Sequence, residues 1–378
     1  MKKTLLATAI AGALGVSAAA QAATVYSQDG TEVDVYGRVV MAVTSGGEQR
    51  SGEQQDRTYS EVGVKEDGSQ FRDLGSRVGF RARHEVNTDL SVFANMEFRF
   101  DAAQRDGGIG DTRQSFLGVE SQQFGRVWAG NFNSIYYNAV GSVFDVPENA
   151  GWQTLGSVTN SSHGTSIAYS TPVLEGFQAH VQAKHYSGNN VEIGNEDASS
   201  TTSPSAAVSY TFQDLYVAAG YDRNRDFGDR GRVTAFDDLP LTTTESEGTV
   251  TEAANNDQAI WGIAAAYQFT PEFSGRLGYE RNGSDDEMGV ASQSITSVGA
   301  TFDYGLGEVY GQYSRRSFGG EAGADTDSRN QWMLGANYRF SQPMYVFAEV
   351  YDNDFSADQT FRESNDGLLY TVGARYDF

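Results

Sequence analysis

From Glu32 to the C-terminus, apolar and polar residues alternate in short runs with a period of two. In the last run Leu368, Tyr370, Val372, Ala374, Tyr376 and Phe378 share one face, and Leu369, Thr371, Gly373, Arg375 and Asp377 share the other. A period of two predicts strands with one greasy face and one wet face. In the run 33–41, Val33, Val35, Val39 and Met41 oppose Asp34, Tyr36 and Arg38. In 76–85, Val78, Phe80 and Ala82 oppose Arg77, Arg81 and Arg83. In 90–100, Leu90, Val92, Ala94, Met96, Phe98 and Phe100 oppose Phe93, Asn95, Glu97 and Arg99. Similar runs fall at 112–119, 125–132, 164–170, 177–186, 206–212, 215–222, 259–269, 273–281, 294–303, 308–314, 332–340 and 345–351, which makes about sixteen with the last. Here Phe98, Phe100 and Phe116 are read as outward. Arg113, opposite Phe116 in parity, is read as inward.

The connections alternate in length. Tight turns at 87–89, 121–123, 213–214 and 270–272 take their turn with long polar segments such as 45–70, 133–163 and 224–257. Short turns therefore gather at one end of the strands and long loops at the other. Aromatics mark the turn-side ends: Tyr210 and Phe212, Tyr267 and Phe269, Tyr338 and Phe340, Tyr376 and Phe378. An even number of antiparallel strands, segregated loops and aromatic rims predict an all-β, transmembrane antiparallel β-barrel, with short periplasmic turns and long external loops. The last strand pairs with the first, which removes the sheet edges that hydrocarbon does not tolerate. Strand spacing alone also permits several β-sandwiches, but no Pro/Ser-rich linker divides the chain.

Composition narrows the function. The chain of 378 residues has no cysteine and a net charge of −23. It therefore has no disulfide framework or Cys-ligated metal, and it repels nucleic acid. Met1-Lys2-Lys3, the apolar run from Leu5 to about Ala20 and the Ala20-Gln21-Ala22 site predict a cleaved signal peptide over 1–22, with Ala23 as the mature start. Loss of Lys2 and Lys3 takes the charge from −23 to −25. The mature domain is then 23–378. Thr8, Gly12, Gly15 and Ser17 interrupt the leader's apolar run, and no later run approaches the ~20 residues of a spanning helix. An enzyme needs a convergent nucleophile and base. The four histidines are His84, His163, His180 and His185. None sits in a serine elbow or beside an acidic dyad, so the chain is read as no enzyme, with no cofactor. Acidic stretches such as Asp285-Asp286-Glu287 and 321–327 read as solvated surface. They also suit divalent cations that bridge lipopolysaccharide phosphates, although no Asp-x-Asp-x-Asp-Gly loop marks a specific calcium site.

Several segments, in order, resemble the general diffusion porins of Gram-negative outer membranes. They are Ala23-Thr24-Val25-Tyr26, Gly30-Thr31-Glu32-Val33-Asp34-Val35-Tyr36-Gly37-Arg38, Ser76-Arg77-Val78-Gly79-Phe80, Thr112-Arg113-Gln114-Ser115-Phe116-Leu117-Gly118, Phe124-Gly125-Arg126-Val127-Trp128-Ala129-Gly130 and Tyr376-Asp377-Phe378. The resemblance covers essentially the whole mature chain. It implies a sixteen-stranded barrel, a homotrimer in outer-membrane lipid and lipopolysaccharide, and passive diffusion of small hydrophilic solutes. It also implies that loop 3 folds into the pore and makes a constriction. Carried over by position, the basic side is Arg38, Arg77 and Arg113, and the acidic side is Asp145 and Glu148 around Pro147. Loop 3 has one residue fewer between its acids than the family pattern, which favours Glu148 over Asp145. Where relatives place a further arginine, this chain reads Asn160-Ser161-Ser162-His163-Gly164. His163 replaces that charge only when protonated. A basic side thus weakened, below acidic loops, predicts cation preference. Arg81 and His163 are further pore-lining candidates, and Phe378 resembles the family's assembly signal. The alternatives are a ligand-specific channel, whose mark would be an aromatic slide where only scattered Tyr stand, and an adhesin-like barrel.

Overall fold

The computed structural model describes residues 22–46, 49–51, 63–65, 69–104, 108–155, 162–186, 201–223, 259–283, 291–320, 323–324, 326–354 and 368–378. The leader through residue 21 and the acidic stretch 285–287 lie outside them. The strands in chain order are β1 (Ala23–Gln28), β2 (Thr31–Ser45), β3 (Gln49–Ser51), β4 (Gly63–Lys65), β5 (Ser69–Asp73), β6 (Arg77–Glu85), β7 (Leu90–Phe100), β8 (Ile109–Ser121), β9 (Gly125–Asn133) and β10 (Ser162–Ser170). They continue as β11 (Phe177–Tyr186), β12 (Thr201–Phe212), β13 (Leu215–Arg223), β14 (Ala259–Gln268), β15 (Phe273–Asn282), β16 (Ser292–Asp303), β17 (Glu308–Gly319), β18 (Arg329–Ser341), β19 (Met344–Asn353) and β20 (Leu369–Asp377). One short helix, α1 (Ile135–Ala139), and a 3-10 turn at Gly141–Phe144 lie between β9 and β10.

Eighteen of these strands form one antiparallel sheet, and β3 and β4 form a separate hairpin within the expected loop 45–70. Two places in the wall are each filled by two segments end to end. On one edge of β2, β6 pairs with residues 31–38 and β5 with 41–45. On its other edge, β1 pairs with residues 31–35 and β20 with 38–45. Counting each such couple once reduces eighteen segments to sixteen wall positions, and the β2–β20 seam closes the barrel. Phe378 completes that seam: Gly37 N donates to its carbonyl at 2.7 Å, and its own N donates to Gly37 O at 3.0 Å.

The alternation puts apolar side chains outside. Leu117, Trp261 and Val372 are 68%, 61% and 61% exposed, which suits a wall solvated by lipid. At the turn end the paired aromatics touch along each strand, with centroids 4.9 Å apart for Tyr267–Phe269 and 5.2 Å for Tyr338–Phe340. The expectation for Phe116 fails. Its ring packs with buried Trp128, Phe132 and Ile135, on the inner side of the wall.

Candidate functional site

Loop 3, the segment after β9, turns into the barrel. Ser134 caps α1, its hydroxyl accepting from Tyr137 N at 3.0 Å. Tyr136, Ala139, Val140, Val143 and Phe144 then bury against Ala207, Tyr216, Ala218, Ile260, Ala264 and Ile295 of the inner wall. Small residues make room there. A Cβ on Gly262 would lie 2.2 Å from the Tyr136 hydroxyl oxygen, so only glycine fits beneath that ring.

Polar anchors fix the loop. Glu280 of β15 accepts at one oxygen from Tyr136 Oη at 2.9 Å, Thr154 Oγ1 at 2.7 Å and Leu155 N at 3.0 Å. Gln312 and Gln331 both donate to Gly151 O, at 2.6 and 3.0 Å. Gly151 has φ +109°, and a Cβ there would strike Met333 at 2.6 Å. Glu349 of β19 accepts from Glu148 N at 2.7 Å and Asn149 N at 3.1 Å.

The opposite wall carries arginines. Arg38 and Arg77 stand directly across from each other on β2 and β6, a like-charge pairing that opposes folding. Two bulges aim the basic side. Residues 74–76 interrupt the wall between β5 and β6, and Gly75 O accepts from Arg38 Nε at 3.3 Å. In β8, Gln114 pairs with Glu97 and Thr112 with Phe98, which leaves Arg113 as the extra residue. Arg113 therefore reaches inward through the bulge and not by the parity that the sequence suggested. Its Nη1 lies 2.5 Å from Glu97, and Arg77 Nε lies 3.7 Å from the same carboxylate. Glu97 is 3% exposed, and this sharing offsets the repulsion between the arginines. Arg81 points inward toward the turn end, 3.9 Å from Asp34 and over the Tyr36 ring. The backbone of His163 pairs with Phe132, but its side chain lies outside the described residues.

Sequence reasoning passed over a further arginine. Arg375 of β20 lies in electrostatic reach of Arg38 and Arg77, and ion-pairs with Glu148 at 3.1 Å. Glu148 also accepts from the Tyr345 hydroxyl. Asp145 is exposed and takes its hydrogen bond from Tyr137. Tyr137 is in electrostatic reach of Arg113 and Arg77. Burial with Asp145 nearby pushes the Tyr137 phenol up, and burial with Glu280 does the same for Tyr136, so both remain protonated donors. Glu97 and Arg375 had a legible signal, a charge on the wet face of an apolar strand. For Glu280 and Glu349 the loop 3 partners lie more than a hundred residues away, as in Leu155–Glu280.

His84, His180 and His185 are each hydrogen-bonded to a hydroxyl, of Thr31, Ser170 and Thr202 respectively. The Ser170–His180 pair, 2.6 Å apart, shows no carboxylate partner among the described residues.

Known proteins share this architecture. A Halomonas protein named "Monosaccharide porin" is 28% identical over 410 residues, with 100% of each chain covered. OmpT of Vibrio cholerae, solved in a trimer form, has a TM-score of 0.65 at 19% identity, over 93% of this chain and 100% of its own. An anion-selective porin from Comamonas acidovorans has a TM-score of 0.68 at 18% identity, over 92% of this chain and 100% of its own. A family model described as Gram-negative porin matches residues 7–358, and the chain belongs to that family.

Proposed function

We propose that this chain is a passive outer-membrane diffusion channel for small hydrophilic solutes and ions, whose constriction lies between an arginine wall and acidic loop 3, with a preference for cations. The observation that carries this reading is loop 3 seated inside the barrel, with Asp145 exposed beside Tyr137, its hydrogen-bond donor, which is in electrostatic reach of Arg77 and Arg113. Rows of opposite charge across a wet aperture make a transverse field. Polar solutes align in it, while an apolar solute must strip ordered water without compensation. No bond is made or broken.

An anion-selective porin shares the fold, so residues and not architecture set ion preference. Around this constriction four arginines, Arg38, Arg77, Arg113 and Arg375, meet four carboxylates, Glu97, Asp145, Glu148 and Asp377. The basic side thus carries no surplus, and in a chain of net charge −23 the acidic surround favours cations. The sugar porin among the relatives supports small sugars as solutes.

The trimer form of the Vibrio neighbour supports a homotrimer. The leader over 1–22 directs export, the turn end faces the periplasm, and the acidic loops meet lipopolysaccharide through divalent cations. Phe378 serves as the assembly signal. Single-channel reversal potentials in a KCl gradient test the ion preference, and an anionic preference would overturn it. Liposome swelling with sugars of graded size tests the general pore: rates should fall smoothly with solute size. A sharp preference for one sugar would favour the ligand-specific channel.

A further inference from the structure

Glu148, the loop acid that the sequence favours, does not stand free in the lumen. Arg375 Nη1 lies 3.1 Å from one carboxylate oxygen and 3.4 Å from the other, and Tyr345 donates to the first. The side chains of Arg375 and Glu148 are only 16% and 11% exposed. The flanking backbone is fixed from the same direction. Glu349 accepts the amides of Glu148 and Asn149, and Asn149 Nδ2 donates to Thr371 Oγ1 at 2.8 Å. These anchors of residues 148–149 all come from β19 or β20. Arg375 is itself held in place: Nε donates to both Asp377 oxygens at 3.0 Å, and the guanidinium sits 5.6 Å from the Tyr345 ring centroid. A planar fork of donors can bridge two carboxylates at once in fixed geometry; a lysine ammonium on a flexible stem cannot. Asp145, three residues earlier on the same loop, is exposed and bonded to a neutral phenol.

We infer that Arg375 is a positioning and specificity-determining residue: the strand that closes the barrel uses it to seat the tip of loop 3 and to cancel the charge of Glu148, leaving Asp145 as the open carboxylate that ions meet. This rests on the channel reading above. It ties closure to the aperture, since the guanidinium reaches its place only when β20 lies between β19 and β2. It also means that the two loop acids are unequal in the pore, and that the one the sequence favours is the clamped one.

The test uses the full-length protein in planar bilayers with Arg375→Lys, Arg375→Gln, Glu148→Gln and the double variant Arg375→Gln/Glu148→Gln. Arg375→Gln uncovers Glu148, so the K+/Cl− permeability ratio should rise by roughly 2- to 5-fold, the effect of one uncompensated charge several ångströms from the ion path. Open-channel noise should rise in both single glutamine variants, and no further in the double variant, because both remove one clamp. Arg375→Lys keeps the charge, so ion preference should move less than in Arg375→Gln while the noise still rises. A quiet Arg375→Lys channel, or noise that adds in the double variant, would overturn the clamp. Should variants at Arg375 fail to insert because β20 is part of the wall, Glu148→Gln decides alone: a noisy channel supports the clamp and a quiet one overturns it. A parent protein that carries no current would overturn the channel reading instead.

Discussion

The two halves of the barrel interior solve opposite problems. The half built from β2 and β6–β8 leaves long side chains facing the lumen, with Arg38 and Arg77 directly opposed and Glu97 shared between Arg77 and Arg113. The half built from β12–β16 is lined with alanine, glycine and isoleucine, and loop 3 is packed onto it. One half keeps charge next to water, where repulsion between like charges is tolerable only with counter-charges close by. The other half buries apolar side chains and anchors polar groups of the loop, as Glu280 does by accepting from three donors. In the proposed channel, field and aperture are therefore encoded on different strands, and substitutions should separate them.

The largest effect should come from the seam that joins the halves. Phe378 pairs with Gly37 through both backbone bonds, and its ring occupies the space that a Cβ on Gly37 would need, with a contact of 2.7 Å. Deleting Phe378 should cut the yield of assembled trimer far more than it alters the conductance of the channels that do form. Heat-modifiable mobility of outer-membrane fractions measures the yield, and a normal trimer yield would remove Phe378 from assembly.

Next comes the loop-bearing half. Gly262→Leu puts a side chain where the Tyr136 hydroxyl lies, 2.2 Å from the new Cβ. Overpacking costs about 1–3 kcal/mol where nothing can move, and here loop 3 can. The loop should shift off its seat, so swelling rates with larger sugars should rise while ion preference changes little. Unchanged rates would show that loop 3 does not set the size limit.

The smallest effect on solute size belongs to the arginine half. Arg113→Gln removes the closest partner of Glu97, 2.5 Å away, and leaves Arg77 at 3.7 Å. Loop 3 keeps all its anchors, so size exclusion should hold. The reversal potential should move toward K+ by an amount equivalent to roughly 2- to 5-fold in permeability ratio. A change in size cutoff without a change in selectivity would reverse the assignment of field and aperture to the two halves.

Much of this was written locally. Alternation alone placed Arg38, Arg77 and Glu97 on the wet face, because a strand's side chains have no other periodicity to follow. The aromatic ends were legible for the same reason. Arg113 shows where alternation stops: a bulge inserts one residue, so Phe116 goes inward when parity sends it out, and Arg113 reaches Glu97 all the same. Nothing in the run 112–119 announces that bulge, because it exists only in the pairing of β8 with β7. Arg375 was visible on the wet face of the last strand, yet its meaning came from Glu148, which is 227 residues away.

The sequence by itself determined the wall: about sixteen amphipathic runs, their short and long connections, and the faces that meet lipid and water. Side-chain alternation is a local consequence of backbone geometry, so the order of residues suffices to state it. Only the tertiary structure decided which of two loop acids is clamped and which is open, and which buried carboxylates hold the loop. Those outcomes depend on distances between segments brought together by closing the sheet, such as Leu155 on Glu280 and Arg375 on Glu148. Electrostatic and hydrogen-bond energies follow those distances and the burial around them, and neither exists until the barrel is closed.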